Sequence, residues 1–155
     1  MKVQIRPLQL ADSDKSWQWR NNHHIWKFTG NRPNKNITDV IERDWLREAL
    51  SRSDELRFAI CIGDELEYVG NAQLTSITNH DAEYHIFIGE ATAYGKGVGS
   101  KTTSLVLDYA KNILRLKSVY LNVNPANISA IRIYEKCGFK LIKEINNQLI
   151  YIKEL

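Results

Sequence analysis

The chain has 155 residues, of which 43% are hydrophobic and 25% are charged, and this composition excludes an intrinsically disordered protein. Lys and Arg total 21 against 18 Asp and Glu, and a net charge of +3 does not predict a nucleic-acid-binding protein. No apolar run is long enough to span a membrane, and the first residues lack the apolar region of a secretory signal, so we expect a cytoplasmic protein. The two cysteines have no CxxC partner, and we expect no bound metal.

The hydrophobic pattern predicts a single domain over residues 1–155. Its predicted strands lie at 3–8, 57–62, 68–77, 82–88, 118–123, 139–145 and 148–155. Its predicted helices begin at Asp12, at Asp39, after a glycine-rich turn at 95–99, and at Asn127. Residues 21–35 have little periodicity and are predicted to be mainly loop. The three consecutive strands in the middle predict an antiparallel meander, which a βαβ unit follows.

Two predicted helices carry an apolar face. On the helix from Asp39 this face consists of Val40, Ile41, Trp45, Leu46 and Leu50. On the helix after the glycine-rich turn it consists of Val98, Thr102, Leu105, Val106, Tyr109 and Ile113. We expect both faces to pack against the sheet.

The glycine-rich turn places Gly95, Gly97 and Gly99 between a predicted strand and a predicted helix. Glycine adopts positive φ and lets a ligand approach the backbone closely. The amides at the start of the helix favour an anion such as pyrophosphate. The spacing matches neither a Walker loop nor the GxGxxG dinucleotide fingerprint. A tight turn that binds nothing would use the same residues, so the turn alone leaves both interpretations open.

A second informative segment, 122–139, runs from the end of a strand through the helix that Asn127 begins. Ala130, Tyr134 and Cys137 lie on one face of this helix, because their spacing is i, i+4, i+7. From this segment alone, Tyr134 is as consistent with the core as with a functional site.

Together the two segments resemble the GCN5-related N-acetyltransferase (GNAT) superfamily, in which a pyrophosphate loop precedes an Asn-x-x-Ala-x-x-x-Tyr-x-x-x-Gly-Phe helix. The resemblance is close from Arg57 to Phe139 and points to the branch that contains ribosomal-protein alanine/serine, spermidine and amino-sugar acetyltransferases. It implies an α+β, three-layer fold, with a mixed, mostly antiparallel seven-stranded sheet flanked by about four helices. It also implies an enzyme that transfers acetyl directly from acetyl-CoA to a primary amine.

By this resemblance, the acetyl-CoA-binding residues come from one strand, the glycine-rich loop and the last helix. They are Ile86, Phe87, Ile88, Tyr94, Gly95, Lys96, Gly97, Val98, Gly99, Ser100, Asn127 and Tyr134. Tyr94 departs from the family, whose usual residue at the head of the loop is Arg or Gln. Because the loop binds mainly through backbone amides, we expect acetyl-CoA binding to be retained.

The resemblance also assigns catalytic roles. Tyr134 matches the family's general acid, which protonates the leaving thiolate. Glu83 matches a glutamate that takes the proton of the amine, directly or through water. His85 lies two residues further on the same face of the strand, and its ordinary pKa makes it a rival base. A reaction without a dedicated side-chain base is the third alternative.

Substrate choice in this superfamily is expected to lie before Arg57. The candidate substrate-binding residues are Trp19, Arg20, Asn21 and Trp26, although a place in the core explains the tryptophans as well. The segment from Lys27 to Asn36 is basic and has no acidic residue. This favours an amino-sugar nucleotide or a protein N-terminal amine over a polyamine, although a solvated loop whose charges bind nothing specific would have the same composition. A polyamine acetyltransferase and a catalytically silent acyl-CoA-binding module are the alternatives.

The expected partners are a small-molecule or peptide amine, and neither nucleic acid nor a membrane. The last predicted hairpin, 139–155, would place an exposed strand at the edge of the sheet. Such an edge can pair with a second subunit, so a homodimer is a further expectation.

Overall fold

A computed structural model describes residues 1–27, 33 and 35–155 of the chain. Its strands are β1 (Val3–Pro7), β2 (Leu56–Ile62), β3 (Glu67–Thr75), β4 (Asp81–Ile88), β5 (Ser118–Val123), β6 (Lys140–Ile145) and β7 (Gln148–Glu154). Its α-helices are α1 (Ser13–Arg20), α2 (His23–Trp26), α3 (Asp39–Leu50), α4 (Val98–Asn112) and α5 (Ile128–Lys136). Short 3-10 turns precede α1 and α4.

All seven strands form one sheet in the order β1-β2-β3-β4-β5-β7-β6. Within the described part of the chain, β4 and β5 are the one parallel pair, and every other pair is antiparallel. This confirms the predicted mixed, mostly antiparallel seven-stranded sheet. The strand β1 lies at one edge, where Pro7 costs no ladder hydrogen bond. The exposed strand β6 lies at the other edge.

The sheet separates two groups of buried side chains, because successive residues of a strand point to opposite faces. On the face of α4 and α5, the core includes Val69, Leu74, Tyr84, Val106, Leu121 and Tyr134. On the face of α1 and α3, it includes Leu8, Trp19, Leu46, Cys61 and Tyr68. The result is the expected three-layer arrangement.

The helix boundaries follow from local capping. The spacing of Asp39 and Glu42 resembles a capping box with Asp39 as the cap, and this is wrong by one residue, because Thr38 Oγ1 accepts the hydrogen bond from the Ile41 amide at 3.2 Å. The helix α5 begins after Asn127 as predicted. It ends before Gly138, whose φ of +94° is the left-handed conformation that ends many helices.

The predicted apolar face of α3 is partly wrong, because Val40 and Leu50 are exposed. Glu42, which is only 3% exposed, is buried instead. Its carboxylate accepts hydrogen bonds from Arg20 Nη1 at 3.0 Å and from Ser16 Oγ at 3.2 Å. These partners on α1 satisfy a buried charge that periodicity alone would leave in solvent.

One further expectation is wrong, and another is tested only in part. Ile113, predicted on the buried face of α4, lies just past the helix and is exposed. The segment 21–35, predicted to be mainly loop, contains the four-residue helix α2. The remainder of that prediction falls largely on residues 28–32 and 34, which lie outside the described residues.

Candidate active site

The strands β4 and β5 separate halfway along their length. Their pairing runs from Asp81 opposite Ser118 to Glu83 opposite Tyr120 and goes no further in the residues the structure describes. From Tyr84 onward, the backbone groups of β4 that point toward β5 therefore lack a strand partner. We call this opening between the two strands the wedge. Unpaired backbone groups along a strand are ready hydrogen-bond donors and acceptors for a ligand.

On the α4 side of the sheet, the glycine-rich loop follows β4. Gly95 and Gly97 have φ of +72° and +76°, and a Cβ at either position would meet no atom within 4 Å. Lys101 N donates to Gly97 O at 3.1 Å, so the preceding amides of α4, from Val98 to Ser100, have no intrahelical acceptor. The first turn of α4 contains no acidic residue. Free amides, open space and the helix dipole together suit an anion.

The third glycine has a different function. A Cβ on Gly99 would lie 2.8 Å from Ile133 Cδ1, so glycine at this position lets α5 pack closely against α4. Val98 is buried in the core, whereas Lys96 is exposed. Ser100 accepts a long hydrogen bond from Cys137 Sγ on its carbonyl at 3.6 Å. Contacts with side chains of α5 and its C-terminal end, Ile133 and Cys137, thus hold the start of α4 in place.

Tyr94, which departs from the family pattern, is anchored to β4. Its hydroxyl donates to the Ile88 carbonyl at 3.2 Å, while much of its ring remains exposed. Burial, and secondly the nearby Glu90 carboxylate, raises the pKa of this phenol. The contact links the head of the loop to the end of the strand that lines the wedge.

Tyr134 on α5 lies on the same side of the sheet and is only 7% exposed. Its ring packs against Tyr84, at 6.4 Å between centroids, and against Phe139, at 5.8 Å. Burial raises the pKa of Tyr134 to about 12, which keeps its phenol protonated at neutral pH. Asn127 begins the same helix, and its Oδ1 accepts from the Ala130 amide at 3.3 Å. That oxygen therefore caps α5.

Glu83 and His85 lie on the opposite face of the sheet. Tyr84, between them in sequence, points into the core under α4, so its two neighbours point the other way. Glu83 Oε2 lies 2.6 Å from His85 Nε2, and His85 Nε2 also lies 3.2 Å from Thr75 Oγ1. The structure thus brings the two candidate bases into direct contact. Glu83 occupies the last paired position before the wedge.

Phe87, Ile86 and Ile88 continue along the unpaired part of β4. All three side chains are half-buried. Phe87 packs edge-on against the ring of Trp19 at 6.0 Å. Ile86 and Ile88 pack against the core on the α4 side. Their side chains are held by the protein, so this stretch offers the wedge only those backbone groups that do not pair with β3, and the Ile88 carbonyl already accepts from the Tyr94 hydroxyl.

Sequence reasoning missed three neighbours of Glu83 and His85. On β3, Gln73 lies opposite His85 and Thr75 lies opposite Glu83. On β5, Tyr120 lies opposite Glu83, and burial, then Glu83 and Asp81, raises the pKa of its phenol. The short turn between β3 and β4 sets the register of these strands, so it was the signal that could have placed Gln73 and Thr75 beside the candidate bases. The position of Tyr120 opposite Glu83 depends on the parallel pairing of β4 with β5, for which the sequence contains no local signal.

The candidate substrate residues, on α1, at its C-terminal end and on α2, make structural contacts. Trp19 is 4% exposed, so its ring face is not available for stacking on a substrate. Arg20 pairs with Glu42 and lies over the ring of Trp45. Asn21 donates to Ile37 O and accepts from Ile37 N, both at 2.8 Å. Trp26 contacts the ring of His23 at 4.6 Å.

Two other expectations concern a metal and a membrane. Among the described residues, His, Cys, Asp and Glu form no group of three that could hold a metal ion. In the same residues, no helix has the length and apolar character needed to cross a membrane.

Comparison with known proteins places this geometry in a family. A family model described as an acetyltransferase (GNAT) domain matches residues 2–140. Spermidine N(1)-acetyltransferase of Escherichia coli (strain K12) is 27% identical over 147 residues, which cover 94% of this chain and 77% of that protein.

Solved structures agree with the sequence matches. A domain from Methanocaldococcus jannaschii DSM 2661 has a TM-score of 0.85 and 28% identity, with 99% of both chains covered. Spermidine N-acetyltransferase from Vibrio cholerae, solved with CoA and spermine, has a TM-score of 0.84 and 24% identity, covering 97% of this chain and 92% of that one. The second likeness concerns the fold alone. The chain therefore belongs to the GNAT family, and it is an N-acetyltransferase.

Proposed function

We propose that this N-acetyltransferase uses acetyl-CoA and passes the acetyl group directly to a primary amine through the wedge. The observation that carries the proposal is the separation of β4 and β5 after Glu83. The sheet is open at this point. The proposed anion-binding loop and Tyr134 lie on one face of the sheet, and Glu83 and His85 lie on the other. Two reactants that approach from opposite faces can meet there without a covalent enzyme intermediate.

The loop side fits the CoA pyrophosphate. The amides from Val98 to Ser100 donate to its oxygens, and Gly95 and Gly97 leave the space that side chains would fill. The unpaired backbone of β4 from Ile86 to Ile88 binds the pantetheine arm as an added strand would be bound. Acetyl-CoA, when bound, supplies the thioester carbonyl that the amine attacks.

Tyr134 is the proposed general acid. A phenol with a pKa of about 12 remains protonated at working pH and can give its proton to the leaving thiolate. Its ring is fixed between Tyr84 and Phe139, so the hydroxyl is held in place before the reaction begins. This position reduces the motion needed to reach the transition state.

Glu83 is the proposed acceptor of the amine proton. It lies at the last position where β4 pairs with β5, at the edge of the wedge, and its side chain is 22% exposed against 43% for His85. His85, in contact with the Glu83 carboxylate, orients it and passes the proton on to solvent. Direct deprotonation by His85 is the alternative, and the pH dependence of the two single variants separates them.

The proposed acceptor is an amine on a neutral or anionic molecule, such as an amino-sugar nucleotide or a protein N-terminus. The segment 27–36 supports this, because it contains Lys27, Arg32 and Lys35 and no acidic residue. A polyamine is the second candidate. It is favoured by the similarity to the Escherichia coli spermidine N(1)-acetyltransferase.

The test measures release of the CoA thiol from acetyl-CoA with a panel of amines. The panel contains amino-sugar nucleotides, peptides that begin with Ala or Ser, and spermidine. We expect one class to support turnover, and Tyr134→Phe to abolish most of it. Tyr109→Phe is the matched control, since this tyrosine packs on Phe58 away from the wedge. Binding of acetyl-CoA without release in any arm would favour the silent CoA-binding module, and absence of binding would refute the proposal.

A further inference from the structure

The indole of Trp19 on α1 reaches the point where β4 leads into the glycine-rich loop. Trp19 Nε1 donates to Glu90 Oε1 at 2.9 Å. A Cβ on Gly89 would lie 2.1 Å from the Trp19 ring, so the ring lies directly against the backbone at this position. The candidate substrate helix is therefore in contact with the start of the candidate cofactor loop, although sequence patterns gave the two segments separate functions.

A second residue of α1 makes the same connection. Lys15, one turn before Trp19, donates from Nζ to the Tyr68 carbonyl at 2.6 Å and lies 3.7 Å from Glu90 Oε1. Residues four apart share one face of a helix, so Lys15 and Trp19 hold the same carboxylate oxygen. The ring of Trp19 is fixed in turn by Tyr68, at 4.8 Å, and Phe87, at 6.0 Å.

The anchored residue is connected to the loop by a short, rigid segment. The amides of Gly89 and Glu90 both donate to the Val69 carbonyl, at 2.7 Å and 3.2 Å. Ala93 N then donates to the Glu90 carbonyl at 3.0 Å in a 3-10 turn, and Ala93 is buried. Tyr94 and Gly95 follow directly. A displacement of Glu90 is therefore transmitted to the loop and is not absorbed by flexible chain.

From these contacts we propose that Trp19 is a positioning residue for the cofactor loop. Its hydrogen bond to Glu90 holds the loop in the conformation that binds the CoA pyrophosphate. The inference rests on the proposed use of acetyl-CoA, and it gives Trp19 a function through Glu90 that requires no contact with either substrate. Loss of the bond lowers the fraction of molecules whose loop is competent, and the apparent affinity falls by that fraction.

The experiment measures the dissociation constant of CoA by calorimetry, together with thermal unfolding, in four single variants. Trp19→Phe and Glu90→Ala remove the hydrogen bond. Glu90→Gln keeps an oxygen that accepts from the indole while losing the ion pair with Lys15. Trp17→Phe is the control, because this tryptophan lies on the same helix and is half-buried. We expect CoA binding about three- to tenfold weaker in the first two variants and unchanged in the others, since one hydrogen bond contributes up to about a factor of ten.

A second readout separates positioning from general stability. Turnover of S-acetylpantetheine, which lacks the pyrophosphate, is expected to change less than turnover of acetyl-CoA in Trp19→Phe and Glu90→Ala. Lower thermal stability with unchanged CoA affinity would overturn the inference, because Trp19 would then only stabilise the fold. Equal weakening in Glu90→Gln would also overturn it, since the ion pair would be responsible. Failure of the unaltered protein to bind CoA would instead refute the proposed function.

Discussion

Replacement of Tyr134 by Phe removes one hydroxyl group, that of the proposed general acid, and leaves the aromatic packing in place. The ring is 7% exposed and lies between Tyr84 and Phe139, contacts that phenylalanine preserves. Its hydroxyl has no side-chain hydrogen-bond partner among the described residues, so we expect stability near neutral pH to change by less than about 1 kcal/mol. If the phenol is the general acid, kcat should fall by about 100-fold or more.

The pKa of Tyr134 adds a quantitative expectation. With a pKa of about 12, only about one phenol in ten thousand is ionised at pH 8, so the acid remains available throughout the working range. The kcat of the unaltered enzyme should therefore show no alkaline decline due to Tyr134 up to about pH 10.5. A tyrosine with its ordinary pKa of about 10 would already be mostly ionised there.

The assay follows thiol release from acetyl-CoA with the acceptor found in the panel, at saturating concentrations of both substrates from pH 7 to about 10.5. Calorimetry gives the dissociation constant of CoA for the same variants. We expect Tyr134→Phe to lose kcat while its CoA affinity stays within about twofold, and Tyr109→Phe to change neither. A Tyr134→Phe enzyme that retains most of its kcat would refute the assignment. A loss of affinity equal to the loss of rate would show that the hydroxyl binds CoA instead.

Three further outcomes follow from the same geometry. Glu83→Gln should lower kcat at saturating amine by about 100-fold while CoA affinity stays unchanged, and an unchanged kcat would exclude Glu83 as the base. Gly97→Ala should lower the free energy of unfolding in urea by about 1–2 kcal/mol, because φ at this position is +76°, and it should also weaken CoA binding. If stability and CoA affinity are both unchanged, the loop assignment is contradicted. Above pH 10 the unfolded chain releases the Tyr134 proton while the folded protein retains it up to a pKa of about 12, so stability should fall with rising pH. Tyr134→Phe should reduce that fall by up to about 3 kcal/mol in guanidinium unfolding, and an unchanged fall would contradict the buried phenol.

Local patterns were sufficient for most of the fold. The strands and the last hairpin were predictable because alternation and turn residues act over a few positions, and Asn146 and Asn147 do adopt the positive φ of a tight hairpin. The buried face of α3 was not predictable in this way, because burial of Glu42 depends on Arg20, which lies far away in the sequence. A hydrophobic pattern assigns a glutamate to the protein surface, because the pattern does not show that a partner such as Arg20 is present to pair with it.

The candidate site divides in the same way. The loop glycines and Tyr134 could be selected because each stands in a contiguous motif. Tyr120 could not, since its proximity to Glu83 is created by the parallel pairing of β4 with β5, which no local pattern indicates. Trp19 was given a substrate-binding function because it lies in the part of the chain before Arg57, where substrate choice is expected. Its contact with Glu90 joins parts of the chain that no local pattern relates.

The design of β4 explains how one strand can serve both reactants. Glu83, His85 and Phe87 point to one face and Tyr84, with the residues that follow it at every second position, to the other, so a slip of one residue would exchange the two sets. Beyond Glu83 this strand lacks the support of β5, and its register is fixed by its antiparallel pairing with β3, which runs from Thr75 opposite Glu83 to Gly70 opposite Ile88. Pairing with Tyr120 fixes its beginning, and the bonds of Gly89 and Glu90 to Val69 fix its end. Trp19 contacts Gly89 and Glu90, just beyond the last residue pair of β3 and β4 and just before the loop, which is why we expect loss of this contact to affect the loop before it affects the fold.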